Sequence, residues 1–299
     1  MVTTEDAVCI SVIVPTYKRP EKLLETLNSL VLLPEINEII VINDSPEIPV
    51  TFQNLKVKVL ANPHNLGEAA AINNGFNNFS NRYFAIISDD DPQTQDWLPN
   101  IVKALREHSG YIAYYPSTRI IRGKGVERTI FAKTFNRIVF LKTLKAYCLA
   151  GVVIDRHKLP RSFNKLRQEG VIFPNDLIQW LELSKFGDFF AVPNSFANWV
   201  SHPSQLTNTI EATKKSYTFL VNLMNWSQEN QSKLSPSLEA AIFLRSLQFL
   251  NRGLGGKFQD GMRLFKYTYN HSRNKIRLLI AIFTTPLMLA SQKFLPWKK

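Results

Sequence analysis

Cysteine is scarce in this sequence, and its scarcity argues against two classes of protein. The 299 residues include only Cys9 and Cys148, both within apolar runs that predict strands. Two such cysteines do not make a disulfide framework, and no Cys/His spacing resembles a zinc site. The N-terminal stretch MVTTEDAV also lacks the basic start and apolar core of a signal peptide. We therefore expect a chain that is not exported and that works in the reducing cytoplasm.

A glycine-rich phosphate loop and a long apolar run are also missing. The first predicted strand leads into VPTYKRP, which argues against a dinucleotide oxidoreductase and a sugar nucleotidyltransferase, because both need glycines at that turn. The last apolar run, residues 278–290, contains Pro286 and is shorter than the about 20 residues that span a bilayer. We expect a globular chain in which this run does not cross the membrane.

The positive charge is concentrated near the C-terminus. The chain has a formal net charge of +12 at pH 7, and residues 257–299 contribute nine Lys or Arg against the single acid Asp260. This surplus predicts an anionic partner, which nucleic acid, anionic lipid or a phosphorylated substrate could provide. A nucleic-acid-binding protein would interleave the bases with aromatic side chains along an exposed face, whereas here they flank the last apolar run. We predict no nucleic acid partner and keep that class as an alternative.

The bases around residues 278–290 suit a helix that lies in the plane of an anionic membrane surface. Such a helix buries apolar side chains at the lipid boundary and presents Lys and Arg to the headgroups. A helix buried against the rest of the chain is the alternative, and the sequence leaves both open. The side chains concerned are Arg273, Lys275, Arg277, Lys293, Phe294, Trp297, Lys298 and Lys299.

Residues 1–110 predict an α/β unit with a parallel sheet. Short apolar runs alternate with amphipathic ones, as in strands joined by crossover helices. The predicted strands are CISVIVP, EIIVIND, VKVLANP and YFAIISDDD, and the predicted helices are Pro20 to Leu32, Gly67 to Phe79 and Trp97 to His108. Every strand ends in polar residues. Because ligands of open α/β sheets bind outside the carboxyl ends of the strands, this edge is the predicted nucleotide site.

The rest of the chain predicts an extension of the sheet followed by helices. In residues 111–205, YIAYYP, LAGVVID and DFFAVP predict strands, and a helix is predicted at Asp176 to Lys185. Beyond Thr209 the apolar segments predict mainly helices. We therefore predict two domains, 1–205 and 206–299, with the basic amphipathic tail at the end of the second.

Three consecutive aspartates, Asp89, Asp90 and Asp91, follow the fourth predicted strand. Adjacent carboxylates repel one another unless a cation lies among them, and hard oxygen ligands suit Mg²⁺ or Mn²⁺ bridging a diphosphate. A polar turn announced by Asp-Pro would explain the same residues. The triplet alone does not decide between a metal site and a turn.

Four segments taken in order decide for the metal site. They are SVIVPTYKRPEKLLETLNSL, EIIVINDS, HNLGEAAAINNGF and ISDDDPQTQDWL. In this order and spacing they resemble the family 2 glycosyltransferases, which have the GT-A fold, a Rossmann-like mixed α/β sheet flanked by helices. The resemblance implies this fold and a divalent metal cofactor, Mn²⁺ or Mg²⁺. It is clear from Ile10 to His108, weaker as far as His202, and absent from the C-terminal third.

The resemblance implies that a loop along the nucleoside, an acid at the base and a third segment hold the nucleotide. A carboxylate can accept the N3–H of uracil or thymine while an aromatic ring stacks on the base. Ile72 stands where many members carry an arginine near the phosphates, so UDP-linked and dTDP-linked donors both stay open. Turn and helix-start roles are the local alternatives. The matching residues are Pro15, Thr16, Tyr17, Arg19, Asp44, Asn65, Gly67, Asn73 and Asp89.

On the metal and acceptor sides the resemblance implies three further roles. The triplet matches the metal-binding Asp-x-Asp, with Ser88 leaving its register open, and His202 stands where some GT-A enzymes place a histidine. Asp176, at the start of a predicted helix, matches the catalytic base, with Glu169 in reserve. Gly151 lies in the strand beneath the acceptor. Asp176 could instead favour a helix N-terminus electrostatically, and Gly151 could serve tight packing.

The sequence therefore predicts an inverting, metal-dependent glycosyltransferase, with residues 1–110 as its nucleotide-binding half and 111–205 as its acceptor half. A base removes the proton of the acceptor hydroxyl while the metal neutralises the departing diphosphate. The basic tail and the resemblance favour a glycan or lipid-linked oligosaccharide acceptor on the cytoplasmic face of the cell membrane, as in surface polysaccharide biosynthesis. A degenerate protein that binds the sugar nucleotide without turnover is an alternative. Donor sugar, acceptor, linkage and homo-oligomerisation stay open.

Overall fold

The structure is a computed structural model that describes residues 8–123, 125–137, 139–140, 150–169 and 175–202. The chain divides into two compact units, residues 1–135 with 146–203, and residues 136–145 with 204–299. Apart from residues 136, 137, 139 and 140, the described residues all belong to the first unit. The predicted helical region 206–299 and its basic tail lie outside the described residues, as does Cys148.

The described residues of this unit form eight strands and four α-helices. Strands and helices alternate up to residue 107, except that β2 and β3 follow one another directly, and the order then becomes richer in strands. The strands are β1 (Ile10–Thr16), β2 (Ile36–Asn43), β3 (Val57–Ala61), β4 (Tyr83–Ile86), β5 (Ala113–Arg122), β6 (Gly125–Ile130), β7 (Val153–Asp155) and β8 (Phe189–Val200). The helices are α1 (Pro20–Val31), α2 (Glu68–Phe76), α3 (Leu98–Glu107) and α4 (Asn175–Leu183).

All eight strands belong to one mixed sheet. Its order is β3-β2-β1-β4-β7-β5-β6, and β8 pairs in addition with β5. The first four strands are parallel to one another, whereas β7 is antiparallel to both β4 and β5. The pairing confirms the predicted mixed α/β sheet, and it brings the carboxyl ends of β1, β2, β3 and β4 to one edge.

Helices cover both faces of the sheet because alternate residues of a strand point to opposite sides. Ile39 and Val41 of β2 pack in a cluster with apolar residues of α1 and α3, whereas Ile40 and Ile42 pack with Ala71 of α2. All four of these β2 side chains are fully buried. A central strand that is apolar on both faces is typical of a sheet sandwiched between helices.

Trp97, just before α3, joins the two halves of the unit. Its side chain is fully buried, and its indole Nε1 donates to the carbonyl oxygen of Gly151 at 2.8 Å. The Trp97 carbonyl in turn accepts from the hydroxyl of Ser195 in β8 at 2.6 Å. One aromatic residue therefore fixes the start of α3 against the approach to β7 and the middle of β8.

Within the described residues, no helix combines the length and apolarity needed to cross a membrane. The predicted in-plane helix at residues 278–290 lies outside that part of the chain.

Candidate functional site

The polar residues at the ends of β1, β2, β3 and β4 lie side by side, as the sequence predicts. The Thr16 hydroxyl donates to Asp89 Oδ2 at 2.7 Å. The main-chain N–H of Asp44 donates to the Thr16 carbonyl, and that of Asn62 donates to the Asn43 carbonyl, both at 2.9 Å. The sheet therefore presents one continuous polar edge, with Asp44 and the aspartate triplet as its acids.

Asp44 is buried at this edge and holds the loop before α2. Its Oδ1 accepts from Asn62 Nδ2 at 2.7 Å and from the Leu66 N–H at 2.9 Å, while Oδ2 accepts from the Gly67 N–H at 2.8 Å. Gly67 precedes α2 with a φ of +87°, which glycine adopts readily. Three donors thus fix the Asp44 carboxylate, and a carboxylate with about four acceptor positions retains room for a further donor.

Asn65 and Asn73 make contacts within the chain. Asn65 Oδ1 accepts from the Gly67 N–H at 3.0 Å and so supports the start of α2. Asn73 is buried; its Oδ1 accepts from the N–H groups of Leu166 and Arg167, and its Nδ2 donates to the Arg167 carbonyl and to Glu169 Oε1. A side-chain amide has two donors and two lone pairs, so Asn73 has used its capacity. We propose that Asn73 positions the segment 166–169 and does not touch the nucleotide.

The Asn73→Ala variant is expected to lose about 2 to 4 kcal/mol of folding free energy, because two main-chain N–H groups lose their acceptor. Nucleotide affinity should stay within a few fold of wild type. Urea unfolding and calorimetric titration with UDP or dTDP would measure the two effects. Asn77→Ala is the control, since Asn77 is exposed and bonds only to carbonyl oxygens. A large loss of affinity at unchanged stability would instead return Asn73 to the nucleotide site.

The loop after β1 carries Tyr17, Lys18 and Arg19, and it follows Pro15, a half-buried residue of β1. Tyr17 is 40% exposed, and Lys18 Nζ lies 5.2 Å from the centroid of its ring. Lys18 also pairs with Glu47 at 3.1 Å, and its main chain has a φ of +57°. This geometry places an exposed aromatic ring beside the buried carboxylate edge, where a base could stack on it.

Two members of the aspartate triplet are bonded into the protein. Besides the Thr16 contact, the main-chain oxygen of Asp89 accepts from the Thr26 hydroxyl at 2.9 Å, and burial raises the pKa of the Asp89 carboxyl to about 6. Asp91 Oδ1 accepts from the Val200 N–H at 2.6 Å, and burial raises the pKa of Asp91 to about 8 although that hydrogen bond opposes the rise. These bonds tie the triplet to β1, α1 and β8.

Asp90 contacts both an arginine and a histidine side chain. Its Oδ2 lies 2.7 Å from His202 Nε2 and 2.5 Å from Arg19 Nη1. The same arginine nitrogen is 3.4 Å from Asp89 Oδ1. Strand β8, which ends two residues before His202, brings this histidine back to the edge formed by the first half of the chain. Of the four predicted metal ligands, the structure therefore joins Asp90 and His202 at one oxygen.

The chemistry of this pair fits a divalent cation. Among the described residues no group of three His, Cys, Asp or Glu side chains is arranged to hold a metal ion. Mg²⁺ and Mn²⁺ in nucleotide enzymes do not need such a cage, because one or two protein ligands are completed by diphosphate oxygens and water. A carboxylate and an imidazole on the polar edge supply the two ligands that this mode requires.

Three buried polar residues that were not predicted from the sequence hold the triplet in place. Thr26 lies on the buried face of α1 among Leu23, Leu27 and Leu30. Gln93 Nε2 donates to the Asp91 carbonyl at 2.8 Å and its Oε1 accepts from the Asn198 N–H at 2.9 Å. A polar residue at an apolar helical position was a usable signal for Thr26. Gln93 and Asn198 are 105 residues apart, and no local pattern connects them.

Asp176 and Glu169 are both exposed. Asp176 lies in the first turn of α4, where its Oδ1 accepts from the N–H of the next residue, Leu177, at 2.8 Å. Glu169 Oε1 accepts from Asn73 and lies 3.7 Å from Lys165 Nζ. Asp176 thus has one carboxylate oxygen without a hydrogen bond to the described residues, whereas Glu169 is tied to α2. Both assignments stay predictions.

Gly151 occupies a position that no other residue fits. Its φ is +68°, and a Cβ added there would lie 2.3 Å from the Cβ of Ala197 and 2.8 Å from Nε1 of Trp97. The lack of space for a side chain here is caused by β8 and the buried indole of Trp97, which pack against Gly151. Packing is thus sufficient to explain this glycine, and its predicted role beneath the acceptor stays a prediction.

The Gly151→Ala variant is expected to be about 2 to 5 kcal/mol less stable than wild type, because left-handed strain and overpacking add. Gly125→Ala is the matched control, since a Cβ there meets nothing within 4 Å. Chemical denaturation of the two variants would measure the difference. Equal stability of the variants would show that Ala197 and Trp97 can shift to accommodate a Cβ at residue 151, and would contradict the prediction.

Comparison with known proteins agrees with this architecture. The fold, a mixed sheet with carboxylates at the ends of its parallel strands, is that of the GT-A class of glycosyltransferases. Residues 11–157 match the family model described as glycosyl transferase family 2. This segment is therefore a family 2 glycosyltransferase domain, which confirms the resemblance seen in the sequence.

Three relatives illustrate the likeness. An uncharacterized glycosyltransferase of Haemophilus influenzae is 25% identical over 226 residues, 68% of this chain and 69% of that protein. The structure of S. aureus TarS 1-349 in complex with UDP-GlcNAc matches with a TM-score of 0.62 at 15% identity, over 96% of this chain and 91% of that one. The Pyrobaculum calidifontis mannosyltransferase PcManGT, in complex with GDP-Man and Mn2+, matches with a TM-score of 0.51 at 12% identity, over 97% and 88% of the two chains. The structural matches show the shared fold.

Proposed function

We propose that this protein transfers a sugar, with inversion, from a UDP- or dTDP-linked donor to a hydroxyl of a glycan or lipid-linked oligosaccharide. The observation that carries the proposal is the meeting of Asp90, His202 and Arg19 on the sheet edge that also holds Asp44. On that edge Asp44 is a buried acid that could bind the nucleobase, and Arg19 is a cation that could bind the diphosphate. Asp90 and His202 form a ligand pair for a metal. The likeness to TarS, solved with UDP-GlcNAc, supports a donor of this kind.

The nucleoside would lie between the loop after β1 and Asp44. Asp44 keeps capacity for one donor, which suits the N3–H of uracil or thymine. The exposed ring of Tyr17 directly follows β1, the strand that pairs with β2, and a base could stack on it. Ile72 is fully buried and offers the phosphates no charge. Arg19 is the cation on this edge that the diphosphate could reach.

A divalent metal would be held by Asp90 and His202, with the donor diphosphate and water completing its coordination. When bound, it would neutralise the charge that develops on the departing diphosphate. The likeness to PcManGT, solved with Mn2+, supports Mn²⁺ as the first ion to test.

Asp176 would serve as the general base. In one displacement the acceptor oxygen forms a bond to the anomeric carbon, the bond from that carbon to the diphosphate oxygen breaks, and the nucleoside diphosphate leaves with the electron pair. The acceptor hydroxyl proton passes to Asp176. Attack opposite to the leaving group inverts the anomeric centre.

The setting of the reaction is inferred from the sequence alone. The basic C-terminal tail supports peripheral attachment to an anionic membrane on the cytoplasmic side, where nucleotide sugars are made. A glycolipid acceptor and a role in surface polysaccharide biosynthesis are consistent with that position. Binding to anionic liposomes that weakens with salt, without binding to DNA, would support this placement over the nucleic-acid alternative.

A thermal-shift screen tests the proposal directly. The purified protein is melted with UDP, dTDP, GDP and CDP, each with and without Mn²⁺, because ligands that bind the native state raise its melting temperature. Stabilisation by UDP or dTDP that grows with Mn²⁺ supports a transferase and identifies the donor class. Release of nucleoside diphosphate from the matching sugar nucleotide separates an enzyme from a degenerate binding protein. No stabilisation by any nucleotide would refute the proposal.

A further inference from the structure

Arg19 contacts the carboxylate oxygen that a metal ion would bind, so its side chain must move away before the proposed metal site can be filled. Its Nη1 lies 2.5 Å from Asp90 Oδ2, the same oxygen that lies 2.7 Å from His202 Nε2. The second contact of the guanidinium, 3.4 Å to Asp89 Oδ1, is also with the triplet. A single carboxylate oxygen is therefore shared between an arginine and the histidine that would join it in binding a cation.

The main chain of Arg19, and not its side chain, serves the start of α1. Arg19 precedes α1 at its N-cap position, and its contribution there is made by its main-chain carbonyl, which accepts from the Leu23 N–H at 3.0 Å. The side chain is 41% exposed, whereas those of Asp89 and Asp90 are 3% and 7% exposed. A long, half-exposed side chain is thus the mobile partner of a buried carboxylate pair.

Charge competition is expected from these distances. The buried triplet attracts a cation strongly, because opposite charges interact more strongly as solvent is excluded. A divalent ion on Asp90 and His202 would place a like charge against the guanidinium, and the two cannot share Oδ2. The displaced arginine would then find a new anionic partner in the diphosphate of the donor, to which a guanidinium can donate two parallel hydrogen bonds.

We propose that Arg19 is an exchangeable counter-ion, which neutralises Asp90 in the free protein and moves to the donor diphosphate when the metal binds. This inference rests on the proposed function of the site. Its consequence is cooperativity: metal binding frees Arg19 for the nucleotide, and the nucleotide retains Arg19 away from the metal ligand. By linkage, each ligand then raises the affinity for the other by the same factor.

Calorimetric titration around a closed cycle measures this coupling. Mn²⁺ is titrated with and without UDP or dTDP, whichever stabilises the wild type, and the nucleotide is titrated with and without Mn²⁺. In wild type we expect a coupling factor of about 5 to 150. In Arg19→Met we expect Mn²⁺ alone to bind about tenfold more tightly, and the coupling factor to fall several fold below the wild-type value. The remaining coupling comes from the diphosphate oxygens that coordinate the metal directly. Arg19→Lys, which keeps the charge without the planar fork, should lie between them.

Lys22→Met is the matched control, because it removes the same charge from the same helix. Lys22 is exposed and pairs with Glu25 one turn further along α1, at 3.1 Å. It should keep the wild-type affinities, coupling and melting temperature. Without metal, Arg19→Met should melt at a lower temperature than wild type, because two buried carboxylates lose their cation, and Mn²⁺ should restore part of the loss. Weaker or unchanged Mn²⁺ binding by Arg19→Met, or an unchanged coupling factor, overturns the counter-ion exchange. Failure of wild type to bind any nucleotide with Mn²⁺ refutes the proposed function itself.

Discussion

The Asp90→Asn variant is expected to release nucleoside diphosphate from the donor about a thousandfold more slowly than wild type, since a metal that stabilises developing charge contributes several kcal/mol. Asparagine keeps the size of the side chain and removes its negative charge. The pair at the proposed metal site then loses its anionic member, and Arg19 and His202 both lose the negative charge they share. A coupled assay of diphosphate release and a Mn²⁺ titration would measure the two losses.

Asp188→Asn is the matched control for this experiment. Asp188 is an exposed aspartate next to the start of β8, the strand whose other end leads to His202. The substitution makes the same change of charge away from the site and should leave both measurements at wild-type values. Retention of Mn²⁺-dependent turnover by Asp90→Asn would show that the metal is held by other residues. A loss of turnover and of Mn²⁺ affinity in both variants would show that these quantities depend on the net charge of the domain and not on Asp90 in particular.

The first half of the described fold, up to α3, is predictable because each of its elements has a complete local signal. The predicted helix Pro20 to Leu32 is observed at Pro20–Val31, with its apolar residues at helical spacing. The centre of strand β2, Ile39 to Ile42, is a continuous apolar run, as expected for a strand covered on both faces. Its polar end then places Asp44 at the sheet edge. Local pattern and tertiary environment agree throughout this half.

The second half departs from its local signals at two strands. Strand β6 has no apolar face, since four of its six residues are exposed, and it exists through main-chain pairing with β5. Strand β8 continues past Pro193 and Asn194, a pair that reads as a turn, because Asn194 adopts a φ of +55° and the register with β5 shifts there. Both strands depend on β5 as a template, and a partner strand is not visible in a local pattern.

The site shows the same division between local and long-range information. The triplet could be found from three adjacent letters. Which aspartate meets Arg19 and His202 depends on Thr16, Val200 and Thr26, which hold the other two and come from other elements. The approach of His202 to Asp90 spans 112 positions of sequence. Only the resemblance to a family linked these two residues before the structure did. For Asn73 the family pattern and the structure differ. This residue matches the pattern of the nucleotide site, but its side chain forms hydrogen bonds within the protein.

The Asp176→Asn variant is expected to lower kcat by about a hundredfold to ten-thousandfold, the usual contribution of a general base. Nucleotide and Mn²⁺ affinities should stay at wild-type values, because this carboxylate binds neither. An aspartate in the first turn also favours the helix electrostatically, by about 0.3 to 1 kcal/mol, so a small loss of stability is expected beside the loss of rate. Diphosphate release and thermal melting, measured on the same samples, separate the two roles.

Glu169→Gln is the decisive comparison for Asp176, because Glu169 is the other acid that could act as base. Its carboxylate already accepts from Asn73 and faces Lys165, so its task is explained by contacts within the chain. We expect this variant to turn over within a few fold of wild type. If Glu169→Gln loses the rate and Asp176→Asn keeps it, the base is Glu169 and Asp176 serves only its helix. If both keep the rate, the proton leaves the acceptor by a route that uses neither acid.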